Sequence, residues 1–179
     1  DGRLYAAEAQ HNFTVPALLG THVIWGGQFR SDVVSSKRVW LTDRETGEDL
    51  SLQQYGGYVQ TETDLTRLFR VVLAARYDKH EDYDAQFSPK AALLFRPTEE
   101  QTLRVSYNRA FKSPTTLQNH FNITDFIPGI AVMGNRMGFT IRDAQGAAIG
   151  SVPALELEEN TTWELGYKGV LGNRLFVDA

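Results

Sequence analysis

The chain offers few residues whose type and spacing would support catalysis. Its four histidines, His11, His22, His80 and His120, are scattered without metal-ligand spacing. No cysteine is present to act as thiolate ligand, nucleophile or disulfide partner. The acidic stretch Asp43-Arg44-Glu45-Thr46-Gly47-Glu48-Asp49 carries carboxylates that calcium could use, but it lacks the alternating ligand pattern and reads as a solvated turn. Serines occur near histidines without the glycines of a nucleophile elbow. Gly26-Gly27 and Gly56-Gly57 fall inside alternating segments, where they indicate bends or close packing and not a phosphate loop. No enzyme activity, metal or cofactor is therefore expected. Two other groups of residues remain. Arg70, Arg76, Arg104, Glu164 and Lys168 recur on the polar side of alternating segments. Asn119, His120, Phe121, Phe126 and Arg136 fall in the longest non-alternating stretch, residues 112–156. Binding residues concentrate on loops carried by a rigid scaffold, so these five are candidates for ligand contact. They could equally pack the loop against its neighbours.

The elements that position these residues are strands. Leu103, Val105, Tyr107 and Phe111 fall on one face of a period-two pattern, opposite Thr102, Arg104, Ser106 and Asn108. Arg109 interrupts that apolar face near the strand end, where a long side chain can snorkel. Trp163, Leu165 and Tyr167 likewise oppose Thr162, Glu164, Gly166 and Lys168, and Phe69, Val71, Leu73, Ala75 and Tyr77 oppose Arg70, Arg76 and Asp78. Val23, Trp25 and Phe29 oppose His22, Gln28 and Arg30. Tyr5, Ala7, Ala9 and Phe13 oppose Glu8, Gln10 and Asn12. Further strands fit Gln53 to Asp64, Phe87 to Pro97 and, in part, Arg174 onward, for about eight strands in all.

Most of these strands reach ten residues or so, which suits the roughly nine to eleven that a tilted membrane strand needs better than the five or six common in soluble sheets. Short links at Val15–Gly20, Leu65–Arg67, Thr98–Gln101 and Leu171–Asn173 alternate with long ones at Ser31–Leu52, Lys79–Gln86 and Lys112–Glu156. A barrel with tight turns on one rim and long loops on the other has this pattern. Tyr5, Phe13, Phe29, Tyr77, Phe87 and Phe111 lie near strand ends, where interfacial girdles belong. Within the long stretch, Phe139–Arg142 and Ala147–Ile149 read as a small hairpin turning at Asp143–Gly146.

These patterns predict an all-β, antiparallel transmembrane barrel segment, and composition, which is ordinary, neither adds to that nor opposes it. The 179 residues are 42% hydrophobic and carry a formal net charge of −4, which disfavours nucleic acid as a partner. No run approaches the roughly 18 apolar residues of a membrane-spanning helix, but a barrel hides its apolar surface from such a scan. The chain begins at Asp1 without an initiator Met and ends within an alternating segment, so both ends read as cuts. The large charges on the polar face suit a wide barrel with an occupied interior better than a closed barrel of eight strands.

Several segments together resemble one family. Phe87-Ser88-Pro89-Lys90, Leu94-Phe95-Arg96-Pro97-Thr98 and Gln101-Thr102-Leu103-Arg104-Val105-Ser106-Tyr107 are similar to a barrel hairpin of TonB-dependent receptors. Arg109-Ala110-Phe111-Lys112-Ser113-Pro114 is similar to the family's R-A-F-R-A-P segment, which leads into an external loop. Leu157 to Gly169, including Trp163-Glu164-Leu165-Gly166-Tyr167-Lys168, resembles its L-K-P-E-x-S-x-x-Y-E-L-G-Y-K strand, without the proline. Tyr58-Val59-Gln60-Thr61-Glu62 matches its Y-x-Q-D-E strand more loosely. The likeness runs from Tyr55 to the C-terminus with order and spacing preserved.

The resemblance implies a segment of a barrel of about 22 strands in the bacterial outer membrane, with residues 1–179 as its incomplete wall. It implies a receptor for active uptake of a scarce nutrient, most commonly an iron–siderophore complex, with cobalamin or oligosaccharide as other cargoes. Outer-membrane lipid, a plug domain and TonB are the implied partners of the full-length protein; the plug and the TonB-recruiting motif have no counterpart in these residues. It further implies that residues 112–156 are external and that Arg70, Arg76, Arg104, Glu164 and Lys168 face the lumen. Two other readings remain: a small eight-stranded outer-membrane barrel acting as adhesin or anchor, and a soluble β-barrel or β-sandwich binding module.

Overall fold

A computed structural model describes the chain except residues 38, 39, 42–45, 47, 128, 129, 172–174 and 179, and except the side chains of residues 123–132 and 171. Seven long strands arise where the sequence alternates: β1 (Gly2–Val15), β2 (Thr21–Val34), β3 (Leu50–Asp64), β4 (Phe69–His80), β5 (Tyr83–Thr98), β6 (Gln101–Lys112) and β11 (Glu158–Leu171). Between β6 and β11 come α1 (Thr116–His120), β7 (Asn122–Ile127), β8 (Ile130–Met133), β9 (Phe139–Arg142) and β10 (Ala148–Val152). A short β12 (Leu175–Asp178) follows β11. The seven long strands and β12 form one eight-stranded antiparallel sheet in the order β1-β2-β3-β4-β5-β6-β11-β12, and β7–β8 and β9–β10 pair as separate hairpins.

Register carries the period-two pattern across the sheet. One row runs through Phe13, Val23, Thr61, Leu73, Ala91, Tyr107 and Trp163, each directly opposite the next. Residues in register share a face, so a row of this kind gives the whole sheet one apolar side. Aromatic side chains pair across it: Phe29 with Tyr55 at 6.0 Å between centroids, Phe69 with Phe95 at 5.0 Å and Tyr107 with Trp163 at 5.0 Å. This apolar side is exposed, with Trp163 at 72% and Leu165 at 77%. A water-soluble sheet buries such a face. The other side holds most of the charges; the Arg109–Glu159 pair and Lys79 stand on the apolar side toward the rim of the long connections.

Buried apolar residues are few among those described: Leu50, Leu52 and Ala92. Leu50 and Leu52 stand at the start of β3 beside the long connections, and Ala92 lies within the sheet opposite Ser106.

The strands run 12 to 16 residues, longer than the sequence pattern indicates. One expectation is thereby corrected. Lys79–Gln86 is no long loop: β4 continues to His80, β5 begins at Tyr83, and only Glu81 and Asp82 lie between them. The alternation of short and long links therefore has an exception. Lys79 explains the misreading, because it stands opposite Tyr55 on the apolar side, where a charge masks the pattern. The long connections still share one rim: residues 35–49 and 113–157. The hairpin anticipated around Asp143–Gly146 is present as β9–β10, with Asp143 Oδ1 accepting from the amides of Gln145 (2.9 Å) and Ala147 (2.8 Å) and Gly146 at φ +84°. In the acidic stretch, Asp43, Arg44, Glu45 and Gly47 lie outside the described residues, as does most of the Leu171–Asn173 link.

Candidate functional site

On the charged side of the sheet opposite charges meet within and between neighbouring strands. Arg70 (β4) donates from Nε and Nη2 to the two carboxylate oxygens of Asp64 (β3) at 2.8 and 2.7 Å, and Arg96 (β5) adds a third bond at 2.5 Å. Arg76 holds Asp78 with two bonds, 2.7 and 2.6 Å, and its guanidinium lies 5.9 Å from the Tyr58 ring. Tyr58 donates to Gln10 at 2.7 Å and approaches Glu8 at 3.2 Å, tying β3 to β1 across β2. Arg104 and Ser106 both donate to Glu164 Oε2, at 3.2 and 3.3 Å. Lys168 Nζ sits 5.4 Å from the Phe176 ring. A concave cavity of about 570 Å³ on this side is lined by Glu8, Tyr58, Gln60, Arg76, Lys90 and Asn108, among others.

Two in-strand glycines make this surface possible. A Cβ on Gly26 would stand 2.7 Å from the Ala9 carbonyl oxygen and 2.7 Å from the Tyr58 hydroxyl. On Gly56 it would meet Arg76 Nη2 at 2.7 Å and collide with the Asp78 carboxylate. Tyr58 and the Arg76–Asp78 pair thus lie over backbone that carries no side chain. Close packing against the Ala9 backbone accounts for Gly26, whereas at Gly56 the neighbours are the ends of the Arg76 and Asp78 side chains.

The second group belongs to the long 113–157 connection. Thr115 caps α1 reciprocally with Gln118: its hydroxyl accepts from the Gln118 amide at 3.3 Å and its amide donates to Gln118 Oε1 at 2.8 Å. That turn delivers Asn119 and His120 into a buried cluster. His120 Nε2 bonds Asp82 Oδ2 at 2.8 Å, and the two side chains are only 2% and 1% exposed. Arg136 Nε approaches Asp82 Oδ1 at 2.9 Å. The Asn119 side-chain amide donates to the Tyr83 hydroxyl. Gly134 is buried, because a Cβ there would run into the backbone of Asn119 and His120. Phe121 bridges to Leu41, and the Asn122 amide donates to the Trp40 carbonyl at 2.7 Å. The side chain of Phe126, in β7, lies outside what the structure describes.

The Asp82 carboxyl feels opposing influences. Burial pushes it up, but the hydrogen bond with His120 and the charges of His120, Arg136 and His80 together hold it below the ordinary value.

The structure therefore brings His120, Asn119 and Arg136 together around Asp82 and Tyr83, and sets Arg70, Arg76, Arg104, Glu164 and Lys168 on one side of the sheet. Sequence reasoning missed Asp82, Tyr83, Asp64, Tyr58 and Arg96. Their parity in the strand pattern could have found Asp64 and Tyr58; Asp82 shows its role only once the chain folds back on it. Among the described residues no cluster of histidine, aspartate and glutamate could hold a metal ion, and no helix is long and apolar enough to cross a membrane.

A sheet with an exposed apolar side, an ion-paired side and long connections gathered on one rim defines the wall of a transmembrane β-barrel. The family model for the TonB dependent receptor-like β-barrel matches residues 1–179, and the chain belongs to that family. The solved siderophore receptor PirA from Pseudomonas aeruginosa superposes with a TM-score of 0.68 at 19% identity, covering 94% of this chain and 28% of that one. A variant of the ferric enterobactin receptor PfeA from the same organism, in complex with enterobactin, gives 0.69 at 17% identity, with 96% and 25% covered. PirA from Acinetobacter baumannii gives 0.64 at 16%, again with 96% and 25% covered. This chain thus spans about a quarter of the length of those receptors. A search of curated proteins finds no match.

Proposed function

We propose that this chain is part of the barrel wall of an outer-membrane receptor that takes up a scarce nutrient with energy relayed by TonB, and that its cargo is a ferric siderophore. The exposed apolar side of the sheet carries the reading, since lipid gives such a face a stable neighbour while the strand ladder satisfies the backbone. On this reading residues 1–179 are an incomplete barrel domain and residues 112–156 an external loop. Asn119, His120, Phe121, Phe126 and Arg136 are the loop residues that contact cargo or hold its neighbours in place. Arg70, Arg76, Arg104, Glu164 and Lys168 look into the lumen and toward a plug. The barrel binds and guides, and it needs no catalytic group or cofactor. The siderophore receptors among the similar structures are the reason for proposing an iron chelate ahead of cobalamin or oligosaccharide.

The test is competition uptake by the full-length receptor in cells lacking other receptors. Ferric siderophores should displace one another and depend on TonB, while cobalamin and oligosaccharides leave uptake unchanged. Competition by a vitamin or a glycan alone would reassign the cargo, and uptake without TonB would overturn the mechanism.

A further inference from the structure

The 113–157 connection does not stand away from the sheet. It starts at the end of β6 and returns to β11, yet its contacts reach sideways to the β4–β5 turn and to the 35–49 connection. Tyr83, which receives Asn119, stands opposite His80, and His80 stands opposite Gln54. Those positions continue the row parity of Gly56 and Tyr58, the charged side. The connection thus leans across the charged side at the long-connection rim. Its anchor is Asp82, a carboxylate 1% exposed between an imidazole and a guanidinium that both come from the connection.

We propose that Asp82 is a latch that holds the 113–157 connection down over the mouth of the sheet, with His120 and Arg136 as its two pins. A buried carboxylate stripped of water is costly unless paired, so the closed position is favoured only while both partners are in place. Asp82 Oδ1 makes no hydrogen bond in the closed position and has only the charge of Arg136 beside it, so losing either that charge or the His120 hydrogen bond favours the open position, in which water solvates the carboxylate. The arrangement is a two-position element: closed and dry, or open and wet. Gly134 makes the closed position reachable, because only a residue without a side chain lets the 134–136 stretch pass against the end of α1 and bring Arg136 to Asp82. The consequence for the receptor rests on reading residues 112–156 as an external loop: the latch sets how wide the entrance stands before cargo arrives.

Hydrogen exchange on the full-length receptor in lipid tests the latch. Asp82→Asn keeps the shape and removes the charge. Exchange of amides in residues 115–122 and 133–136 should accelerate roughly tenfold or more while β3–β6 stay protected. Trypsin should cut faster after Arg136 and Arg142. Arg136→Gln, at a more exposed pin, should give a smaller acceleration of the same amides, which guards against misfolding of the first variant. His120→Gln combined with Asp82→Asn should add little to Asp82→Asn alone, because the same contact is lost once. Unchanged protection in both Asp82→Asn and Arg136→Gln overturns the latch. Release of the connection with uptake unaffected upholds the latch and removes this connection from cargo capture, so the two readings fail separately.

Discussion

At the scale of single residues, two contacts make sharp demands. Gly134 faces backbone, and backbone cannot swing aside as a flexible side chain does. Gly134→Ala should therefore displace α1 from the hairpin tip and cost about 1–3 kcal/mol locally. The expected readout is loss of amide protection at Asn119 and His120 with an intact barrel; a variant as protected as the native chain would refute the close approach. Asp82 makes the second demand. Its carboxyl is held below the ordinary value in the folded chain, so it binds fewer protons folded than unfolded near that value. The stability this supplies is present above the ordinary carboxylate range of about 3.9 and is lost as pH falls through the depressed folded value. Exchange at residues 115–122 and 133–136 should hold steady from neutral pH to about 5 and rise only in stronger acid, after correction for intrinsic exchange. A transition near pH 6.5, the ordinary histidine value, would place control in histidine titration instead.

At the scale of elements, the apolar and charged sides should respond oppositely to the same change. Leu165→Arg and Trp163→Arg put a cation on the exposed apolar side, at an expected cost of about 2–4 kcal/mol if they sit near the bilayer midplane. Thr162→Arg, one residue away on the other side, should cost well under 1 kcal/mol, as a surface substitution does. Urea titration of the full-length receptor in lipid measures both; equal penalties would contradict the assignment of sides. That two-sidedness was legible in the sequence because period two is a local signal. Trp163, Leu165 and Tyr167 need no knowledge of their neighbours to fall on one face. The β9–β10 turn was legible for the same reason, since Asp143 and Gly146 supply its chemistry within four positions. The β4–β5 tip was not, because Lys79 occupies an apolar-side position above the apolar zone and breaks the pattern. Neither was the pairing of Asp82 with His120, or of Asp64 with Arg70 and Arg96, since these partners meet only through register and fold-back. Loop elements such as α1 and β7–β8 leave too short a pattern to read.

At the scale of the whole molecule, the decisive question is what touches the exposed apolar side. The three tryptophans answer it, because they divide between sheet and connection. Trp25 (β2) and Trp163 (β11) both project from the apolar side, and Trp40 belongs to the 35–49 connection at the rim. All three are exposed, so water alone would quench them alike. Bilayers brominated on the acyl chains quench only rings that reach hydrocarbon. In full-length receptors reduced to one tryptophan each, Trp25 and Trp163 should be strongly quenched by brominated lipid and little affected by aqueous iodide. Trp40 should show the reverse. Iodide quenching of all three, with no effect of bromine, would mean that the apolar side meets water or protein, and the barrel-wall reading would fail with it. The open sheet adds a second constraint on the same question. Its edges, β1 and the four-residue β12, leave backbone groups unpaired among the described residues. Unpaired strands are not tolerated in hydrocarbon, where water cannot satisfy them. The lipid quenching should therefore appear only when further strands close the barrel. The 179-residue chain expressed alone should stay out of the bilayer, with Trp25 and Trp163 beyond the reach of the brominated chains.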